Sequence, residues 1–245
     1  MTDSAPVQAP PLSLLQRMIG MITAPRATYE SVVAHPRPFG VLFVCALIIG
    51  ITATIPQFTE PARQATLDMQ IKSMERFTGQ AVTPEMYEKF DAQSRNPVTR
   101  ASNAIAPLIM FPILALILSG LFWVFFNAIL GGLASFKQVL AVTAHSYVIT
   151  ALATTLSLPI LLYKFSMSMG GPFNLGALVP MLDETSILAS FLSGISVFSI
   201  WGWIVVAIGL SVLYRRSASA IATTLVILSL VFTFALTAVF GSLFG

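Results

Sequence analysis

The chain has 245 residues, of which 56% are hydrophobic and only 9% charged, against about 25% charged residues in soluble domains. With a mean hydropathy of +0.84, it lacks the polar groups to cover a globular surface. The net charge of +3, from 13 basic and 10 acidic residues, is too small and too scattered to point to nucleic acid, and the single cysteine, Cys45, excludes an intrachain disulfide. Several segments exceed the roughly 18 uncharged apolar residues that mark a membrane-crossing helix. The composition therefore predicts an all-α, polytopic membrane protein.

In chain order, residues 1–11, rich in Pro, Ala and Ser, predict a disordered N-terminus. The opening shows no basic region running directly into an apolar core, so no cleaved signal peptide is expected. Residues 12–35, "LSLLQRMIGMITAPRATYESVVAH", predict amphipathic helices lying along the membrane interface. Leu14, Leu15, Met18, Ile19 and Ile22 form the apolar side, and Gln16 and Arg17 the other. Thr23 is the expected N-cap of a second short helix with Pro25 in its first turn.

Five spans are expected within a membrane domain covering 36–245, at about 38–58, 101–133, 138–163, 185–213 and 218–244. The polar insert 59–100 predicts two helices, the second with Thr83 as N-cap, Pro84 at its first position and Glu85 in its first turn. It reads as a small helical cap, either a solvated connector or a lid. The segment 164–184, "KFSMSMGGPFNLGALVPMLDE", is too apolar for a plain loop and too broken by Gly and Pro for a helix, so it is a candidate to dip into the membrane.

The runs are continuously apolar, without the alternation of a membrane β-barrel, so helices are the only spanning structure that satisfies the backbone in lipid. With the N-terminus in the cytoplasm, the inner side holds Arg17, Arg26, Arg37, Lys137, Arg215 and Arg216. The insert carries six basic residues of its own, balanced by six acids. The pure basic pair in the tight 215–216 connection favours the N-in orientation.

No catalytic or metal-binding motif is present, and no catalytic residue, cofactor or metal is expected. The third span is the most polar. Thr143, Tyr147, Thr150, Thr154 and Ser157 recur at spacings of four, three, four and three, which puts them on one helical face. They read as interhelical hydrogen-bonding glue, or as the lining of a polar pathway. His145 lies off that stripe, roughly 12 Å into the membrane from Lys137. It reads as a buried neutral histidine hydrogen-bonded to another span, or as a proton relay, since intramembrane ionisable groups are functional candidates. In the fifth span Ser229, Thr233, Thr237 and Gly241 make a small-residue packing face.

Three stretches, "TAPRATYESVVAHP" at 23–36, "SFKQVLAVTAHS" at 135–146 and "FSIWGWIVVAIGL" at 198–210, together resemble bacterial members of the Yip-one domain family of integral membrane proteins. The resemblance covers about residues 15–240. It implies five spans, a cytoplasmic N-terminus and a C-terminus on the far side, here the periplasmic side of a bacterial cytoplasmic membrane. Pro25, Phe136, Trp201 and Gly209 match the family pattern, and Arg26 lies in the first motif. Bacterial relatives have an acid just before the "FSIW" element, whereas Ser196 and Val197 stand here. The eukaryotic relatives interact with Ypt/Rab GTPases, but this N-terminal segment is short beside theirs, so GTPase binding does not carry over. The expected role is non-enzymatic organisation of membrane proteins or lipids. The expected partners are the lipid bilayer and other membrane proteins or a second copy. The alternative is a small transporter that uses the polar face of the third span.

Overall fold

The computed structural model describes residues 11–78, 80–164, 172–179, 181–182 and 187–244. The expectations for residues 1–10 and, within 164–184, for residues 165–171, 180 and 183–184 fall outside these residues, as do the Thr237 side chain and the surroundings of Gly241.

The described residues are helical throughout, with one isolated bridge, Asn174 to Ser196, and no strand. Helix α1 is Leu14–Thr23. Ser13 caps it reciprocally: its hydroxyl accepts from the Gln16 N–H at 3.3 Å, and its own N–H donates to the Gln16 side chain at 2.9 Å. Helix α2 is Pro25–Ala34, with Pro25 at its first position. The residue between them is Ala24, not the expected Thr23. Thr23 still belongs to α1, where its hydroxyl donates back to the Ile19 carbonyl at 3.1 Å.

Helix α3, Pro38–Thr54, ends two residues before Pro56 and continues as a 3-10 turn, Ile55–Phe58. Proline lacks an N–H and cannot extend the α-helical ladder. The insert forms α4, Glu60–Thr78, and α5, Pro84–Arg95. Helix α6 is Pro97–Trp123, with Pro107 and Pro112 inside it and a π-helical turn, Val124–Ile129, at its end. Then come α7, Phe136–Lys164, a 3-10 turn at Leu175–Leu178, and α8, Ile187–Ser193. The last two are α9, Val197–Tyr214, and α10, Ala218–Phe244.

Among the described residues four helices are long and apolar enough to cross a membrane: Pro97–Ile129, Phe136–Tyr163, Val197–Tyr214 and Ala218–Ala235. The fourth expected span, about 185–213, divides into two helices. Its membrane-length part begins only at Val197, because Ser196 caps a new helix there with Ser199. The residues before it turn away to pair with 173–175: Leu175 N–H donates to Ile195 O at 2.9 Å and Val197 N–H to Phe173 O at 3.1 Å. The first expected span is also shorter as an α-helix, at 17 residues.

Helix α7 is the centre of the bundle. Every residue from Val139 to Ser146 is buried. It packs against α3, α6 and α9, while α10 lies on α9. One end of the bundle is drawn together by Arg216, whose guanidinium donates to Leu130 O at 3.0 Å. There too the Phe126 and Tyr214 rings stack at 4.7 Å.

At the other end the insert is held by a compact ion cluster. Thr83, Pro84 and Glu85 start α5 as expected, with the Thr83 hydroxyl accepting from Met86 N–H. Arg63 of α4, only 2% exposed, pairs with Glu60 and reaches Asp91 of α5 at 2.5 Å. Arg95 joins Glu60 at 2.6 Å and Asp91 at 3.0 Å. Hydrogen bonds from Arg63, and then from Arg95, hold both carboxyls below their ordinary range. A lowered folded-state pKa means stabilisation that is complete above the unfolded value, near pH 4, and lost as the pH falls below it. The α4–α5 pair should therefore loosen on acidification below about pH 4 while remaining intact at neutral pH. Spin labels at Gln70 and Lys89 should report this as a broadened distance distribution, and an unchanged distribution at pH 3 would remove the cluster's role.

Candidate functional site

The chemistry of the bundle gathers where α1 and α2 fold over the first half of α7. Helix α1 carries two apolar stripes. Leu15, Ile19 and Ile22 are exposed, whereas Arg17 and Met21 are buried, with Leu14 and Met18 packed beside them. This corrects the expected arrangement, in which Arg17 lay on the side away from the apolar contact. The arginine turns inward because α7 presents it with an acceptor.

That acceptor is His145. Arg17, only 7% exposed, places Nη1 3.5 Å from Nε2 of the fully buried His145. The other ring nitrogen, Nδ1, is 2.7 Å from the Ala141 carbonyl. A carbonyl can only accept and a guanidinium can only donate, so Nδ1 carries the proton and Nε2 the lone pair. The imidazole is thereby held as the neutral tautomer. Its partner belongs to α1, not to another span as expected from the sequence.

The remaining Arg17 contacts are carbonyls, Ser13 O at 3.4 Å and Arg37 O at 3.5 Å. Among the described residues no carboxylate pairs with Arg17. Burial, and then the neighbouring charge of Arg37, lower its pKa from the ordinary value.

A second contact locks α2. The Tyr29 hydroxyl, fully buried, donates to the Val142 carbonyl at 3.1 Å. Burial raises its phenol pKa. The ring lies over Gly209 of α9, where an added Cβ would stand 2.5 Å from Val142 Cγ1 and 2.8 Å from Tyr29 Cζ. Glycine is required here by the close approach of three helices. Gln138 adds a third tie, its amide donating to Val33 O at 3.2 Å.

Of the residues singled out in the sequence, His145 and Gly209 belong to this clasp. Pro25 starts α2, and Arg26 is exposed, 3.9 Å from Glu30 in the same helix. Trp201 packs half-buried beside Phe198. Phe136 opens α7.

The polar stripe of the third span behaves otherwise than expected. The hydroxyls of Thr143, Thr154 and Ser157 donate to carbonyls of their own helix, at 3.2, 3.0 and 2.7 Å. They do not bridge helices. Tyr147 sets its ring edge-on to Phe111 of α6 at 5.2 Å, and Thr150 is half-buried.

Arg17, Tyr29 and Gln138 were missed as site residues. A signal existed for Arg17: Leu14, Arg17, Met18 and Met21 form a stripe at helical spacing as regular as the exposed one. Nothing in the sequence marks which stripe the bundle covers.

No curated protein and no solved structure matches the chain. A family model for the Yip1 domain matches residues 19–240, which take in α2 to α9, the contact of Tyr29, Val142 and Gly209, His145 without its partner Arg17, half of α1 and most of α10. The chain is an integral membrane protein and belongs to the Yip1 domain family.

Proposed function

We propose that this protein is a non-enzymatic organiser of lipids or proteins in a bacterial cytoplasmic membrane, with five spans and a cytoplasmic N-terminus. The observation that carries the reading is the docked N-terminal pair. Helices α1 and α2 are clamped to α7 and α9 through Arg17 and Tyr29, and α1 turns Leu15, Ile19 and Ile22 outward. An apolar helix face of this kind is suited to the headgroup boundary of a bilayer. The basic residues support the same end as the inner one. Arg17 reaches the Arg37 carbonyl, Gln138, next to Lys137, reaches Val33, and Arg216 reaches Leu130.

The span that completes the five, first in chain order, is α3. Its 17 residues and the following four-residue 3-10 turn amount to roughly 33 Å at 1.5 and 2.0 Å per residue. That is enough for a hydrocarbon core of about 30 Å. Single cysteines at Ala27 and Gln80, which flank α3, in a Cys45→Ser background, should label from opposite sides of the membrane, with Ser217 labelling from the side of Ala27.

A transporter would need polar groups free to face a pathway. The hydroxyls of Thr143, Thr154 and Ser157 are occupied by their own helix, and His145 is enclosed, which favours the organiser. The deciding experiment uses the protein in proteoliposomes. The expected result is no proton or solute flux above that of empty vesicles, together with reproducible photocrosslinking of specific lipids or membrane proteins from a probe at Ile19. A proton-driven flux that disappears in a folded His145→Leu protein would establish the transporter instead.

A further inference from the structure

We propose that the groove between α3 and α6 holds one acyl chain of an anionic phospholipid, with its phosphate at Arg100. The groove has a volume of about 390 Å³ and is lined by Leu47, Gly50, Thr54 and Phe58 on one side and Ala104 and Leu108 on the other. At its floor the helices touch: a Cβ on Gly50 would lie 2.7 Å from the Ala104 carbonyl. The one hydroxyl in the lining, on Thr54, donates to Gly50 O at 2.7 Å. The wall therefore offers an occupant only hydrocarbon contact.

Length and charge identify the occupant. From Leu47 to Phe58 the groove runs about 18 Å along the helix axis. That is close to the roughly 15 Å of hydrocarbon in one leaflet. At the mouth Phe58 is 71% exposed, and the Arg100 guanidinium lies 5.9 Å from its ring centroid. Arg100 Nε donates to Ser94 O at 3.3 Å. The nearby charges compensate one another, Arg63 and Arg95 against Glu60 and Asp91. Among the described residues no carboxylate pairs with Arg100. An apolar channel one leaflet deep, ending at an uncompensated guanidinium, complements a chain with a phosphate at its head.

The inference rests on α3 crossing the bilayer, which the cysteine labelling above tests separately. Its own test is native mass spectrometry of the delipidated full-length protein in detergent, after addition of dioleoylphosphatidylglycerol. One retained lipid is expected. Arg100→Gln should weaken retention about fivefold, and Ile105→Trp, at a lining position between Ala104 and Leu108, should fill the groove and abolish it. Dioleoylglycerol, without the phosphate, should bind weakly and equally to the native protein and the Arg100→Gln variant. Glycerophosphoglycerol, without the chains, should not compete. Arg100 carries no core packing, so its variant remains decisive if the tryptophan variant does not fold. Equal retention by the native protein and Arg100→Gln would reduce the lipid to ordinary annular contact. A second protein copy crosslinked through Ile105 in place of lipid would overturn the proposal as well. Either outcome leaves the flux and crosslinking results at Ile19 untouched, so failure of this site and failure of the organiser reading are separable.

Discussion

Replacing His145 with leucine should lower unfolding stability in detergent by about 1.5–3 kcal/mol, the range for hydrogen bonds to charged groups. The loss comes from Arg17, not from the histidine. The guanidinium is buried and, among the described residues, has His145 Nε2 as its only side-chain acceptor. Leucine fills much of the ring's volume but leaves the cation facing an apolar surface. His145→Gln should cost less than 1 kcal/mol or so, because its amide keeps an acceptor for Arg17 and a donor for Ala141 O. The informative variant is the pair Arg17→Met and His145→Leu. Replacing both partners by apolar groups should restore most of the stability lost in the single mutant. A double-mutant cycle in SDS-unfolding titrations reads this directly. Additive losses would mean that the two side chains do not interact, and the clasp would lose its centre.

Gly209→Leu should cost about 1–3 kcal/mol or more, as overpacking does where neighbours cannot withdraw. The neighbours here are Val142, inside the buried run of α7, and the Tyr29 ring, tied by its hydroxyl to the Val142 carbonyl. The side chain can be accommodated only by lifting α2 from α9. Tyr29→Ala in the same protein should recover part of the loss by vacating the space. Gly202, on the same helix, has nothing within 4 Å of an added Cβ. Gly202→Leu is therefore the control and should be close to neutral. Equal thermal midpoints for the Gly209 and Gly202 variants would show that the close approach of α2 to α9 is absent in the folded protein.

Much of the architecture was legible because lipid removes options. A chain this poor in charge must place its long apolar runs in the bilayer, and only helices satisfy the backbone there. The helix starts at Pro25 and Pro84 follow from local chemistry, since proline's fixed φ and missing N–H suit a first turn. The insert's Thr83 cap was readable for the same reason. The break before Val197 was not. It depends on 173–175 pairing with 195–197, a contact between residues some twenty apart that no local window contains.

The candidate site divides along the same line. Composition and periodicity alone determine that this is a helical membrane protein and that His145 sits inside an apolar run. The family pattern also points to Gly209. Only the tertiary structure decides what these residues do. It chooses the Arg17 stripe of α1 for burial over the Leu15 stripe, sets His145 as acceptor to an arginine 128 positions away, and turns the third-span hydroxyls onto their own helix. The physical reason is that helical periodicity specifies which residues share a face, whereas the partner of that face is chosen by packing and by the need to satisfy each buried donor and acceptor. For a chain whose helices are apolar on nearly every side, the choice rests with a few polar groups, and their partners lie far away in sequence.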